Sequence, residues 1–582
     1  MSRAFDKRII RILGETDVVT AEQLTEAQEA ALKDNAPVTA TIVKKGLLEE
    51  NELLGILAER LRVSPVSLHD CAPDASVVRE IAQNLAIDNN LIPISRIDNV
   101  LTVAVSNPFD VVALDQIRNA TGCELRLVLS LEETIEKMLN NTYNPGAAEL
   151  EAVMGELDGG SKLEIKEAGK EEELDLAELA VAEGESPVIK FVNLAIYQAI
   201  KAGVSDIHIE PFEKMVRVRF RQDGICYVAF TPPKSLHNSI VSRIKIMCSL
   251  DIAERRKPQD GKFQVKMEGR QVDFRVSVLP TVHGEKVVLR ILDGSNLALS
   301  LETLGFEPSA LADFNTAISA SYGMILVTGP TGSGKSTTLY SAVKEIMKDD
   351  DNFVTVEDPV EYQLFGVNQV QVDEKRGLTF AAALRSILRQ DPDVVMIGEI
   401  RDGETIEIAI KAALTGHLVL STLHTNDAPS TISRMLDMGV DPFMVASATL
   451  LVSAQRLARR LCKHCKAPLE APNERLMAIG FTEEEAETGQ VFHPVGCGRC
   501  KNGYTGRFAL LETMPMNEAI KRLIVQGKPA IDIKTAAVMD HGMITLRRCA
   551  VLNSLRGHTS IDEVLRVTMP DEFPDGVKPG AK

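Results

Sequence analysis

The chain has 582 residues, 45% of them apolar, which at ~150 residues per domain is material for about four domains with cores of their own. Lys and Arg total 64 against 82 Asp and Glu, and the resulting net charge of −18 repels a phosphate backbone and argues against non-specific nucleic-acid binding. Aromatic residues are 4% with no Trp, which leaves few stacking platforms for single strands, and no run reaches the ~18 apolar residues of a membrane span.

The opening MSRAFDKRIIRILGE has no apolar stretch ending in a small-residue cleavage site, so no secretory signal is expected and the chain reads as cytosolic. Within 1–145, TAEQLTEAQEAAL and EENELLGILAERL carry apolar residues at helical spacing. LTVAV at 101–105 reads as a strand, and LSLEETIEKMLNNTY as a closing helix. The expectation is a small N-terminal α/β domain. Residues 146–185 follow as an acidic flexible linker, since 149–185 hold thirteen acidic and three basic side chains.

Apolar periodicity resumes with PVIKFVNLAIYQAI, a predicted helix with Pro187 near its start. SDIHIEP, MVRVRFRQDG, KFQVKMEG and RQVDFRVSVLP predict strands, the last two joined by Glu268-Gly269, with a helix around SIVSRIKIMCSL. Residues 186–300 are therefore expected as a second α/β domain with an antiparallel sheet. In 301–582, GMILVTG, FVTVED, DVVMIGE and HLVLSTL alternate with helical segments, a pattern that favours a mainly parallel sheet. A four-cysteine segment at about 456–507 and a helical C-terminal part complete this third unit.

Gly329-Pro330-Thr331-Gly332-Ser333-Gly334-Lys335-Ser336 matches GxxxxGK(S/T) between a predicted strand and a predicted helix, the context a phosphate loop requires. Its glycines let N–H groups converge on phosphates. Lys335 reaches the β/γ oxygens, Ser336 faces Mg²⁺, and Thr337 is a further nucleotide-binding candidate. Glu357 and Asp358 close one strand and Glu399 closes another, so their carboxylates can orient water, take its proton, or bind Mg²⁺ through water. Glu399 is the preferred water-positioning group and Glu357 its competitor. His424, at the tip of HLVLSTLH, can hydrogen-bond a γ-phosphate.

Cys462, Cys465, Cys497 and Cys500 form two CxxC pairs separated by 31 residues, and four thiolates satisfy tetrahedral Zn²⁺ with no position left for water. The site is expected to be structural, a clip acting on output indirectly because the parallel sheet does not need it to close.

Together SDIHIEP at 205–211, LDIAERRKPQDG at 250–261, GPTGSGKSTTLY at 329–340, TVEDPVEY at 355–362, LRQDPDVVMIGEIRD at 388–402 and TGHLVLSTLHTNDA at 415–428 resemble the secretion ATPase superfamily of type II secretion and type IV pilus systems. The resemblance implies an α/β chain in which a RecA-like P-loop ATPase domain follows a PAS-like α/β domain and a small N-terminal α/β domain, assembled as a homo-hexamer. It implies ATP, Mg²⁺ and Zn²⁺ as cofactors, and roles near nucleotide, within the subunit or across the ring, for Arg275, Arg290, Arg385 and Arg389. The cysteine insertion favours assembly or secretion over pilus retraction. LTFAAALRS at 378–386 and NDAPSTISRMLDMGV at 426–440 favour a pilus-assembly ATPase over a type II secretion ATPase driving a pseudopilus.

The N-terminal domain resembles the one that docks family members to an inner-membrane platform protein, which implies a cytoplasmic protein peripheral to that membrane, with a cytoplasmic ring adaptor as a further partner. Versions of that domain that bind cyclic di-GMP carry two RLG-like starts. Arg11-Ile12-Leu13-Gly14 approximates one, but Val38-Thr39-Ala40 stands at the other, which argues against the ligand. A RecA-like nucleic-acid translocase is the alternative from another class, opposed by the acidic charge; no direct nucleic-acid partner is expected.

Overall fold

The computed structural model describes residues 3–143 and 187–574, apart from interruptions at 17, 35–36, 69–72, 74, 79–80, 82–84, 87–88, 268–269 and 294–299, together with Leu174–Asp175. The linker expected at 146–185 and the Glu268-Gly269 turn lie outside the described residues, save Leu174–Asp175, a two-residue strand.

The N-terminal residues build two cores. Helices Arg3–Gly14, Ala21–Asp34, Val38–Lys44 and Glu50–Leu61 turn their apolar stripes toward one another around Leu13, Ile42 and Leu53. Thr20 precedes the second of them, its Oγ1 accepting from the Gln23 N–H at 3.3 Å. A four-stranded sheet ordered Ser64–Pro65, Glu124–Leu129, Val100–Val105, Leu91–Ile97 then packs with helices Val111–Thr121 and Glu132–Tyr143 around Ile92, Val103 and Ile135.

The second sheet has seven strands in the order Leu174–Asp175, Gln259–Met267, Arg270–Thr281, Gly284–Asp293, Asp206–Pro211, Val216–Gln222, Ile225–Phe230. Every pairing is antiparallel except that of the two-residue edge strand. Alternation puts Ile207, Val218, Phe220, Phe274 and Val276 on the face that packs with helices Pro187–Lys201 and His237–Met247. On the other face stand Asp206, Glu210, Arg219 and Arg290, paired with one another. Three strands, Leu174–Asp175, Ile225–Phe230 and Gly284–Asp293, were not among those predicted.

The third sheet runs Asn368–Gln371, Phe353–Glu357, Val394–Ile397, Leu418–Leu423, Gly323–Thr328, Thr449–Leu461, Tyr504–Pro515. Its first six strands are parallel and the last is antiparallel. The central strands are buried on both sides, which is why they read as unbroken apolar runs, and separate cores cover the two faces. The flanks of the cysteine segment are themselves two long strands of this sheet, and helices from Glu518–Val525 to Ile561–Val567 close the chain. Among the described residues, no helix is long and apolar enough to cross a membrane.

Candidate functional site

Gly323–Thr328 delivers the chain into the loop 329–334, and Lys335–Ile346 leaves it, so the positive end of a helix and the loop's N–H groups share one space. The neighbouring strand Thr449–Leu461 presses on that loop. A Cβ on Gly329, at φ 143°, would stand 2.5 Å from the Gln455 carbonyl oxygen, and one on Gly334, at φ 90°, would stand 2.8 Å from Gln455 Nε2. Gln455 also accepts from Thr338 Oγ1 at 2.8 Å.

Lys335 is 9% exposed and donates to the carbonyls of Gly329 at 2.8 Å and Pro330 at 3.1 Å. Burial pulls its pKa down to about 8; Glu399 opposes that shift and Arg456 adds to it. Ser336 and Thr331 are exposed, whereas the Ser333 hydroxyl is buried without a protein partner, as expected of a donor meant for a ligand oxygen. Above the loop lies a cleft of about 220 Å³ whose lining includes Asp223, Gly224, Arg456, Arg507 and Arg566. Three arginines line this anion-sized space beside the helix N-terminus, Arg507 paired with Asp223, Arg566 with Glu563 and Arg456 without a carboxylate partner in that lining, a setting that suits a polyphosphate.

The two candidate glutamates have different surroundings. Glu399 is 18% exposed, with one oxygen on Arg401 and the other 3.1 Å from His424 Nε2, and Arg401 also approaches Asp358 at 3.7 Å. Glu357 is buried, and both its oxygens are taken, by Tyr340, by Thr355 Oγ1 at 2.6 Å and by Gln369 Nε2 at 3.1 Å. Burial, reinforced by Glu357, pushes the Tyr340 phenol far above its usual range, so it remains a donor at any working pH. Glu399, His424 and Asp358 are thus gathered with Arg401 at the strand tips, while Glu357 is turned into a hydrogen-bonded network.

Of the four arginines, Arg275 reaches across from the second domain: it donates to the Val360 carbonyl at 2.8 Å and pairs with Glu361 at 2.8 Å. Arg290 pairs with Asp206 in its own sheet, Arg385 with Glu404, and Arg389 donates back into its own helical turn. Gln455, Arg456, Arg401, Asp223, Arg507 and Arg566 were not singled out from the sequence. A polar pair interrupting an apolar strand, as in LVSAQRLARR, was the available signal for the first two.

The sulfurs of Cys462, Cys465, Cys497 and Cys500 all lie within 4.8 Å of one another, with separations of 3.6, 3.7 and 3.9 Å among neighbours. Four thiolates bound at about 2.3 Å around a tetrahedral zinc stand about 3.8 Å apart, so the donor set fits that ion.

A family model described as Type II/IV secretion system protein matches residues 181–566, and one described as MshEN domain matches 60–149. The Type IV pilus assembly ATPase PilB of Myxococcus xanthus is 45% identical over 97% of this chain and 100% of its own length. The Type II secretion system protein E of Xanthomonas campestris is 38% identical over 97% and 99%. Among solved structures, the Legionella pneumophila ATPase DotB is 21% identical with a TM-score of 0.48, covering 65% of this chain and 94% of that one.

Proposed function

The chain belongs to the type II/IV secretion system protein family, and we propose that it is the member that converts ATP hydrolysis into type IV pilus assembly. What carries this is the end-to-end likeness, N-terminal domain included, to a pilus-assembly ATPase. A type II secretion ATPase driving a pseudopilus is the second reading, favoured by the equal coverage of the Xanthomonas relative. Disrupting the gene in its own host should remove surface pili and leave exoprotein secretion intact. Intact pili with lost secretion would establish the second reading instead. In the proposed assembly six copies form a ring at the cytoplasmic side of the inner membrane, with the N-terminal domain docked on a platform protein and a cytoplasmic ring adaptor alongside.

At the phosphate loop, the N–H groups of 329–336 and the helix N-terminus take the ATP phosphates, and Lys335 exchanges its two carbonyl partners for β/γ oxygens. Ser336, and Asp358 through water, are the groups that would hold Mg²⁺, which would supply charge neutralisation on the phosphates, and Thr337 would serve the nucleotide. Glu399 orients the attacking water and takes its proton, and His424, on the same carboxylate, senses the γ-phosphate. Arg275 carries the state of the 358–362 segment into the second domain through Val360 and Glu361. Arg290, Arg385 and Arg389 are left to serve the nucleotide of a neighbouring subunit in the ring.

The four cysteines hold a closed, structural Zn²⁺. Elemental analysis of full-length protein purified without chelator should find about one zinc per chain. Cys497→Ser should lower that content sharply, and a metal-free wild-type preparation would overturn the assignment.

A further inference from the structure

The cysteine knuckle, expected to act at a distance from the phosphate loop, is joined to the cleft above it by a short path of contacts. Past Cys500 the chain passes Lys501 and the Asn502-Gly503 turn, both left-handed at φ 48° and 81°, into Tyr504–Pro515. A Cβ on Gly503 would overlap Pro494 at 2.3 Å, and the Gly503 carbonyl accepts from the Cys462 N–H at 2.8 Å, so the exit from the knuckle has one path. Along that path two cations meet the second domain. Lys501 Nζ lies 4.1 Å from the centroid of the Tyr227 ring, and Arg507 Nε lies 3.5 Å from Asp223 Oδ1.

Both partners belong to one hairpin. Asp223-Gly224, at φ 50° and 83°, is the turn between Val216–Gln222 and Ile225–Phe230, and Arg221 donates to the Gly224 carbonyl at 3.0 Å. That turn is a wall of the cleft over Pro330–Ser333, whereas Lys501 and Tyr227 are not in its lining. We propose that Lys501 and Arg507 are positioning residues for nucleotide: Lys501, next to Cys500, and Arg507, on the strand that leaves the knuckle and opposite Arg459 in the sheet, grip the 222–227 hairpin and hold its tip over the phosphate loop. This rests on the nucleotide reading of the loop, and it gives the cysteine module a role in the ATPase site itself. The linkage follows because a hairpin free to swing away leaves the bound phosphates open to water, which weakens every charged contact there.

The test uses the full-length protein with a fluorescent ATP analogue and Mg²⁺, hydrogen exchange of 222–227, and elemental analysis of each variant. Lys501→Met and Tyr227→Leu should each raise the dissociation constant about fivefold, roughly the weight of one partly solvated cation–π contact, and speed exchange in the hairpin. The double variant should be no weaker than either single one. Lys501→Arg should restore affinity, and zinc content should stay at the wild-type level. Because Tyr227 is outside the knuckle, its variant carries the test if Lys501→Met loses metal. Wild-type affinity and exchange in both single variants, or additive effects in the double variant, would overturn the proposal. Failure of the nucleotide reading has a different signature: Lys335→Ala would then bind the analogue as the wild type does, while hairpin exchange would still report the grip.

Discussion

Lys335→Ala should reduce ATP turnover by purified protein at least about a hundredfold, the scale on which losing one preorganised charged donor acts at a phosphoryl centre. The sheet should survive, because among the described residues the side chain bonds to the loop carbonyls of Gly329 and Pro330, and it is not part of the apolar cores. Circular dichroism and melting near those of the wild type, with turnover lost, is the expected pair of results. The pH dependence has a definite sign. Burial holds the Lys335 pKa down to about 8, so its ammonium is complete below that pH and is lost above it. A bound polyphosphate requires the ammonium and raises its pKa. Nucleotide affinity should therefore be greatest below pH 8 and fall as the pH rises, by at most about tenfold per unit, and this dependence should vanish in Lys335→Ala. Wild-type turnover by the alanine variant would remove the phosphate loop from the mechanism.

Glu399→Gln should suppress hydrolysis by about a hundredfold or more while leaving nucleotide binding within a few fold, since a carboxamide keeps the shape but cannot take a proton from water. The choice between the two glutamates rests on their partners. Glu399 faces His424 and Arg401 and is partly open, whereas both oxygens of Glu357 are engaged by Tyr340, Thr355 and Gln369 in a buried network. Glu357→Gln puts an amide N–H₂ against hydroxyl or amide donors, and a buried unsatisfied donor costs about 1–3 kcal/mol. That variant should show its main effect as a lowered melting temperature, with turnover reduced less than in Glu399→Gln. Loss of hydrolysis in Glu357→Gln alone, with the Glu399 variant active, would exchange the two roles.

Local rules made a large part of this protein legible. The strands of the third sheet are apolar throughout because parallel strands are covered on both faces, and Gly323–Thr328, Phe353–Glu357, Val394–Ile397 and Leu418–Leu423 could be read from that alone. The phosphate loop was equally plain, because its glycines, lysine and serine act within eight consecutive residues. The cysteine pairs pointed to a metal site through spacing, since two CxxC turns can each present two sulfurs to one ion. Other strands escaped. Thr449–Leu461 carries Arg456, Arg459 and Arg460 in its second half, so the run reads as a basic segment; that Arg459 is held by buried Glu563 and lies over the Tyr504 ring is visible only in the fold.

The composition of the site depended on contacts far apart in sequence. Gln455 and Arg456 stand beside the phosphate loop because Thr449–Leu461 pairs in parallel with Gly323–Thr328, with Ala454 opposite Thr328; as consecutive strand residues they point to opposite faces, and a shift of one residue would exchange their places. Glu357 and Glu399 end neighbouring parallel strands and look equivalent as strings of letters. Only packing distinguishes them, since Tyr340 comes to Glu357 from the phosphate-loop helix and His424 comes to Glu399 from the next strand. In the same way Asp223 meets Arg507, and Tyr227 meets Lys501, only once two separate sheets are set against each other. Sequence alone determined the elements and chemical groups whose constraints are local, a period, a turn or a spacing; the tertiary structure decided which of those groups are neighbours, because hydrogen bonds and charges act over a few ångströms and the chain brings them within that range only by folding.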